Sequence, residues 1–296
     1  LPIKESVKKI ALIGPNADNR RCMLGDYSYS AVLELMHQDP PKGSGYEGLM
    51  QADIEKMPVK IPTVFESLKQ ALPASMAVDY AKGCDISGND KSGFAEAVDL
   101  AKSADVAVVV LGHKSGLAYD CTTGEFRDST DLGLPGVQAE LLEAVLETGK
   151  PVVLVLINGR PLSIPGFVEA ANAVLEAWIP GEEGAGAIAS ALLGQLNPGG
   201  KLPVSIARSV GQVPVFYSHK PSGMRSNIYG DYVNESVRPL FPFGHGLSYT
   251  QFEYSNLSLG KQQAGLDETL PISLDVANVG KVAGDEVVQL YTSDEY

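Results

Sequence analysis

Val106-Ala107-Val108-Val109-Val110-Leu111-Gly112 and Val152-Val153-Leu154-Val155-Leu156-Ile157-Asn158 are the two stretches that decide the fold class. Both are unbroken aliphatic runs rich in β-branched residues, and each closes on a residue suited to a turn. Continuous rather than alternating apolar text marks a strand buried on both faces, as in a parallel sheet. Outward from this pair, Lys9-Ile10-Ala11-Leu12-Ile13-Gly14 reads as another buried strand. Ala77-Val78-Asp79-Tyr80 is a weaker one, and Ala173-Val174-Leu175-Glu176-Ala177-Trp178 continues the series. Helical patterns lie between. Phe94, Val98 and Ala101 recur at helical spacing before Asp105. Leu141, Leu142, Val145 and Leu146 do the same, with Pro135 placed for a first helical turn and Gly149 for the stop. Glu182-Glu183 open a helix that carries Ile188 and Leu192 to Gly194, their charge complementing the helix dipole. Strands alternating with helices predict an α/β domain over residues 1–206, a mostly parallel sheet sandwiched by helices.

The pattern then changes twice. Residues 207–251 form a loop-rich extension and linker, heavy in Pro, Gly and aromatics. Residues 252–296 alternate in the manner of a β-sandwich, through Leu257-Ser258-Leu259, Ile272-Ser273-Leu274-Asp275-Val276 and Val287-Val288-Gln289-Leu290-Tyr291. A sandwich needs about seven strands to cover both inner faces. Three predict an incomplete sandwich, completed by further protein. Residues 27–60 and 113–134 lack regular pattern, and long loops of this kind are commonly functional.

Charge and composition narrow the chemistry. The chain has 296 residues, 44% hydrophobic and 20% charged, with a net charge of -13. Such a surface repels phosphate backbones and anionic lipid, which argues against nucleic acid or membrane as partner and is compatible with a neutral substrate such as a sugar. No apolar run approaches the roughly 18 residues of a membrane span. The three cysteines, Cys22, Cys84 and Cys121, have no C-x-x-C spacing and leave room for one bridge at most. The four histidines are scattered, so no metal and no other cofactor is expected. Residues 1–9 resemble no signal peptide and the chain opens without Met, so it reads as a segment of something longer, with no compartment written in it. The sequons at Asn234 and Asn256 add little to that.

In an open α/β sheet, ligands bind outside the carboxyl ends of the strands. The loop leaving the Val106–Gly112 run holds His113, Lys114, Asp120, Glu125, Arg127 and Asp128. Glu125 stands between Gly124 and Phe126. A carboxyl beside an apolar ring loses hydration, and desolvation disfavours the anion, as a general acid requires. The plainer reading makes Glu125 a solvated loop carboxylate, Asp120 and Asp128 turn formers or caps, and His113 a structural histidine. Other sites fail on inspection. Gly194-Gln195-Leu196-Asn197-Pro198-Gly199-Gly200-Lys201 has the outline of a phosphate loop, but Gly200 takes the lysine place and strand-like text follows. Neither G-x-G-x-x-G nor a G-x-S-x-G elbow occurs.

Much of the remaining text resembles one family. Ile10-Ala11-Leu12-Ile13-Gly14-Pro15-Asn16-Ala17-Asp18, Leu24-Gly25-Asp26-Tyr27, Gly124-Glu125-Phe126-Arg127-Asp128 and Asp131-Leu132-Gly133-Leu134-Pro135-Gly136 all belong to it. So do Asn158-Gly159-Arg160-Pro161, Pro180-Gly181-Glu182-Glu183-Gly184, Asn197-Pro198-Gly199-Gly200-Lys201-Leu202-Pro203, His219-Lys220-Pro221-Ser222-Gly223 and Phe241-Pro242-Phe243-Gly244-His245-Gly246-Leu247-Ser248-Tyr249. In this order they resemble the second domain of family 3 glycoside hydrolases, the β-glucosidase and β-xylosidase group. The stretch through Gly284-Asp285-Glu286-Val287-Val288-Gln289-Leu290-Tyr291 resembles the opening strands of the fibronectin type III-like domain that follows in many members.

The resemblance implies a retaining, exo-acting β-glycoside hydrolase, a β-glucosidase before a β-xylosidase. A preceding (β/α)8 barrel would supply the aspartate nucleophile, and the α/β domain would lend the acid/base glutamate, which falls on Glu125. Retaining enzymes set the two carboxyl groups about 5–5.5 Å apart across the glycosidic bond. Asp128 occupies the family's aspartate after that glutamate, where arginine often follows; here Ser129 does. Asp120 and His113 are further substrate-binding candidates on the same loop. The expected partners are a β-glucoside or β-xyloside, the barrel, the rest of the fibronectin type III-like domain and, compatibly, further copies of the chain. The fragment alone is expected to be inactive. Two other classes stay open: a non-catalytic carbohydrate-binding or scaffolding module, and a nucleotide-binding α/β domain.

Overall fold

The computed structural model describes residues 1–37, 59–218, 230–265 and 267–293. Strands β1 (Lys9–Ile13), β2 (Ala77–Ala81), β3 (Val106–Gly112), β4 (Val152–Ile157) and β5 (Ala173–Glu176) form one sheet in the order β2-β1-β3-β4-β5. Every pairing within it is parallel. Both β3 and β4 are buried at every residue, as their continuous aliphatic text requires.

Successive side chains point to opposite faces of a strand, so each central strand feeds two cores. On one face Ile13, Val109, Leu111 and Leu154 meet Ala97 and Ala101 of α3 (Phe94–Ser103) and Leu141, Leu142 and Val145 of α4 (Gln138–Leu146). Phe167 and Val168 of α5 (Pro165–Ala170) pack on the same side. On the other face Leu12, Val108, Val110 and Val155 meet Val64 and Leu68 of α2 (Val64–Ala71) and Ile188 and Leu192 of α6 (Gly184–Leu192). The sheet is thus sandwiched by helices. Asp105 fixes the entry to β3: its Oδ2 accepts from Lys8 N at 2.7 Å and Lys9 N at 2.9 Å.

Three features differ from the sequence reading. Residues 27–60 open with a helix, α1 (Tyr29–His37), in place of patternless loop; Ser28 caps it, its Oγ accepting from Ala31 N at 3.4 Å. The Pro40–Pro41 part of that stretch, and His219–Gly223, lie outside the described residues. Pro135 stands ahead of α4, not in its first turn, because the helix starts where the buried Gln138 amide completes the end of β3. Gln138 Oε1 accepts from Gly112 N and its Nε2 donates to Gly112 O, both at 2.8 Å. Finally, the C-terminal strands number two among the described residues, not three: β6 (Phe252–Leu259) and β7 (Ile272–Asn278), an antiparallel pair. Val287–Tyr291 joins no ladder there; Gln289 Nε2 donates to Gly244 O at 2.9 Å instead, and Tyr291 sits edge-on to Tyr217. Both strands are largely exposed, Leu257 by 68% and Leu259 by 55%. A two-stranded ribbon is marginal by itself. The three cysteines are free and buried, so no bridge forms.

Candidate active site

The strand order reverses between β1 and β3, and the helices that follow them, α2 and α4, pack on opposite faces of the sheet; open α/β sheets bind ligands at such a switch point. Asn16, just past β1, is wholly buried and donates from Nδ2 to His113 O at 3.0 Å, tying the two exits together. Beyond His113 the chain folds back on itself. Lys114 O accepts from Thr122 N at 2.9 Å, Gly116 N donates to Thr123 O at 3.0 Å, and Ser115 bridges Thr123. This closed loop presents Glu125 at the rim.

Glu125 is exposed but tethered at two points. Its backbone N donates to Asp26 Oδ2 at 2.7 Å, and its Oε2 accepts from the Tyr27 hydroxyl. That hydrogen bond to the carboxylate is the main reason the Tyr27 phenol is held above its ordinary range. The other oxygen of Asp26 accepts from the Ser115 hydroxyl. Gly124 lies at φ 126°, and a Cβ there would stand 2.6 Å from Asp26 Oδ2 and 2.7 Å from Gly116 O. Only glycine lets the loop close on the carboxylate this tightly. The Phe126 ring is 82% exposed and does not bury its neighbour, so the desolvation expected from that pairing is absent from this chain's own surface.

The loop is braced from below and from the side. Lys114 is 8% exposed and pairs with Glu34 and with Asp120, the latter at 2.7 Å. Burial pulls its ammonium down, but hydrogen bonds and charge from Asp120 and Glu34 outweigh that and hold it above the ordinary lysine value. Glu34 also accepts from Arg21 Nε at 2.7 Å, so one carboxylate of α1 joins two cations. From the end of β4, Arg160 donates to Thr122 O at 3.4 Å and Arg127 O at 2.5 Å. Asn158 donates to Arg160 O at 2.9 Å and to Glu176 Oε2 at 3.5 Å. Burial pushes the Glu176 carboxyl up to about 7, against hydrogen bonds from Trp178 N and Asn158 that favour its anion.

The sequence candidates therefore fall in different places. Glu125 and Asp128 are exposed on the rim, and Asp128 has no hydrogen bond or ion pair among the described residues. Asp120 serves as a counter-ion of Lys114. His113 is 3% exposed, underneath the loop, and burial together with Arg160 lowers it to about 4, so it is neutral at physiological pH. Asp26, Tyr27, Glu34 and Arg160 escaped single-sequence reasoning as site residues. Asp26 and Arg160 stand in the family-like words, but 99 positions separate Asp26 from Glu125, and nothing local in the text joins them.

The description "Glycosyl hydrolase family 3 C-terminal domain" matches residues 1–249. The chain belongs to glycoside hydrolase family 3. Among family 3 relatives it is 42% identical to a β-xylosidase of Formosa agariphila, over 100% of this chain and 37% of that protein. It is 36% identical to the periplasmic β-glucosidase of Salmonella typhimurium, over 99% of this chain and 38% of that protein. A β-glucosidase structure from Erythrobacter marinus superposes with a TM-score of 0.74 at 36% identity, covering 95% of this chain and 36% of that one. The chain thus spans little more than a third of the length of the relatives it matches.

Proposed function

We propose that this family 3 domain supplies the general acid/base, Glu125, of a retaining β-glycoside hydrolase acting on β-glucosides or β-xylosides. A (β/α)8 barrel contributes the aspartate nucleophile. One observation carries the reading: a rim carboxyl at the sheet's switch point is fixed through its backbone by Asp26 and through its side chain by Tyr27, while remaining open to an approaching partner. As the barrel carboxylate attacks the anomeric carbon, Glu125 passes its proton to the departing oxygen and the glycosidic bond breaks. Glu125 then takes a proton from the water that displaces the enzyme carboxylate and frees the sugar. Asp128 faces the same rim and is assigned to the substrate side, whereas Asp120 and His113 act through the conformation of the loop. Residues 252–296 contribute strands to a fibronectin type III-like unit, which covers the exposed β6–β7 ribbon.

The test is Glu125→Gln in the chain joined to its barrel. On alkyl glycosides, whose leaving oxygen needs a proton, kcat/KM falls by roughly 10²–10⁴-fold. On dinitrophenyl glycosides, whose leaving group departs as a stable anion, it falls by less than about 10-fold. Equal losses on both classes contradict the assignment.

A further inference from the structure

Within that reading we infer that Asp26 is the residue that positions the acid/base, a role it plays without touching the sugar. Glu125 sits on a loop exit where a carboxyl has wide freedom to swing, yet proton transfer demands placement within hydrogen-bond reach of the leaving oxygen. Two hydrogen bonds and one steric allowance converge on the Asp26 carboxylate. Oδ2 accepts the Glu125 backbone N–H at 2.7 Å, a charge-assisted bond. Oδ1 accepts the Ser115 hydroxyl, which anchors the carboxylate to the base of the same loop. The missing Cβ of Gly124 leaves the space into which the carboxylate fits. Asp26 itself rides on the segment leaving β1, so the acid/base is registered against the sheet across the switch point and not merely against its own loop. Its neighbour Tyr27 holds the Glu125 carboxylate from the same segment, so one dipeptide grips both the backbone and the head of the catalytic glutamate.

A residue that only supported folding would lower activity on every substrate alike. A residue that places the proton donor affects substrates in proportion to their need for the proton. In the chain joined to its barrel, Asp26→Ala should cut kcat/KM on alkyl glycosides about 10- to 100-fold, the scale of a misplaced catalytic group. It should leave dinitrophenyl glycosides within about 3-fold, so that the dependence on leaving-group acidity steepens. Asp26→Asn should recover most of the loss, because its carboxamide oxygen still accepts from Glu125 N while its nitrogen donates to the Ser115 oxygen. Ser115→Ala keeps both carboxyl residues but frees Asp26 from its anchor, and should steepen the dependence in the same direction, by a few-fold. Glu125→Gln run in the same series separates the two ideas. If Glu125→Gln shows the steep dependence and neither Asp26→Ala nor Ser115→Ala does, positioning by Asp26 is overturned and the acid/base assignment stands. If Glu125→Gln itself shows none, the underlying assignment fails first.

Discussion

Replacing Glu176 by Gln should stabilise the protein, and only above a definable pH. Burial raises this carboxyl from 4.5 to about 7, despite donation from Trp178 N to Oε1 at 3.0 Å and from Asn158 to Oε2. Each pH unit of displacement corresponds to about 1.4 kcal/mol. A shift of this size therefore amounts to about 3 kcal/mol of folded-state cost once the group ionises on both sides of the folding equilibrium. The unfolded chain loses its proton near 4.5 and the folded one only near 7, so between these values the folded state binds more protons and stability declines as pH rises. Below 4.5 both states are protonated and the cost disappears. Glutamine keeps the acceptor for Trp178 N and gives up only the long 3.5 Å contact from Asn158, whose Nδ2 keeps its bond to Arg160 O. Thermal denaturation at pH 4 and pH 8 measures the difference. The variant should melt about 5–10 °C above the parent at pH 8 and within about 2 °C of it at pH 4. An equal change at both pH values, or a loss at pH 8, would refute the claim that an ionising half-buried carboxyl limits stability here.

Two further outcomes follow from neighbouring residues. His113 is lowered to about 4 by burial and by Arg160, so the unfolded chain takes up a proton near 6.5 that the folded chain refuses until about 4. Stability should fall by about 3 kcal/mol as pH drops across that interval, and His113→Phe should flatten this part of a melting-temperature profile. Gly112→Ala would place a Cβ 2.0 Å from Ile157 O at φ 140°, backbone that cannot give way, and should cost about 2–3 kcal/mol by urea unfolding.

The legible parts of the fold are those in which one physical demand dominates the local text. Strands β3 and β4 need apolar side chains on both faces, and their runs mark them nearly to the residue. Helix α2 carries its start signal in its cap and not in its periodicity: Thr63 and Glu66 form a capping box, visible as T-x-x-E before an apolar pattern. Helix α5 has six residues opened by Pro165, too short for periodicity to declare. The ladder missing at Val287–Tyr291 shows the converse, since alternation states which face wants burial but not whether a neighbouring strand is there to pair. The exposed loop that carries Glu125 was legible as the excursion beyond β3. The grip on it was not, because Asp26, Glu34 and Arg160 reach the loop from the exits of other elements, and such pairings are made by topology.

Glu125, in the proposed mechanism, gives a proton to the oxygen leaving the glycosyl group and takes one from the water that replaces it. Glu125→Ala, in the chain joined to its barrel and supplied with a dinitrophenyl β-glucoside and azide, tests it most directly. With its base removed, the enzyme should stall at the glycosyl ester, and azide, which needs no deprotonation, should attack the anomeric carbon, expel the carboxylate and restore turnover. Proton NMR should then show β-glucosyl azide as the product, with retained configuration. Release of glucose alone, at a rate indifferent to azide, would contradict the account.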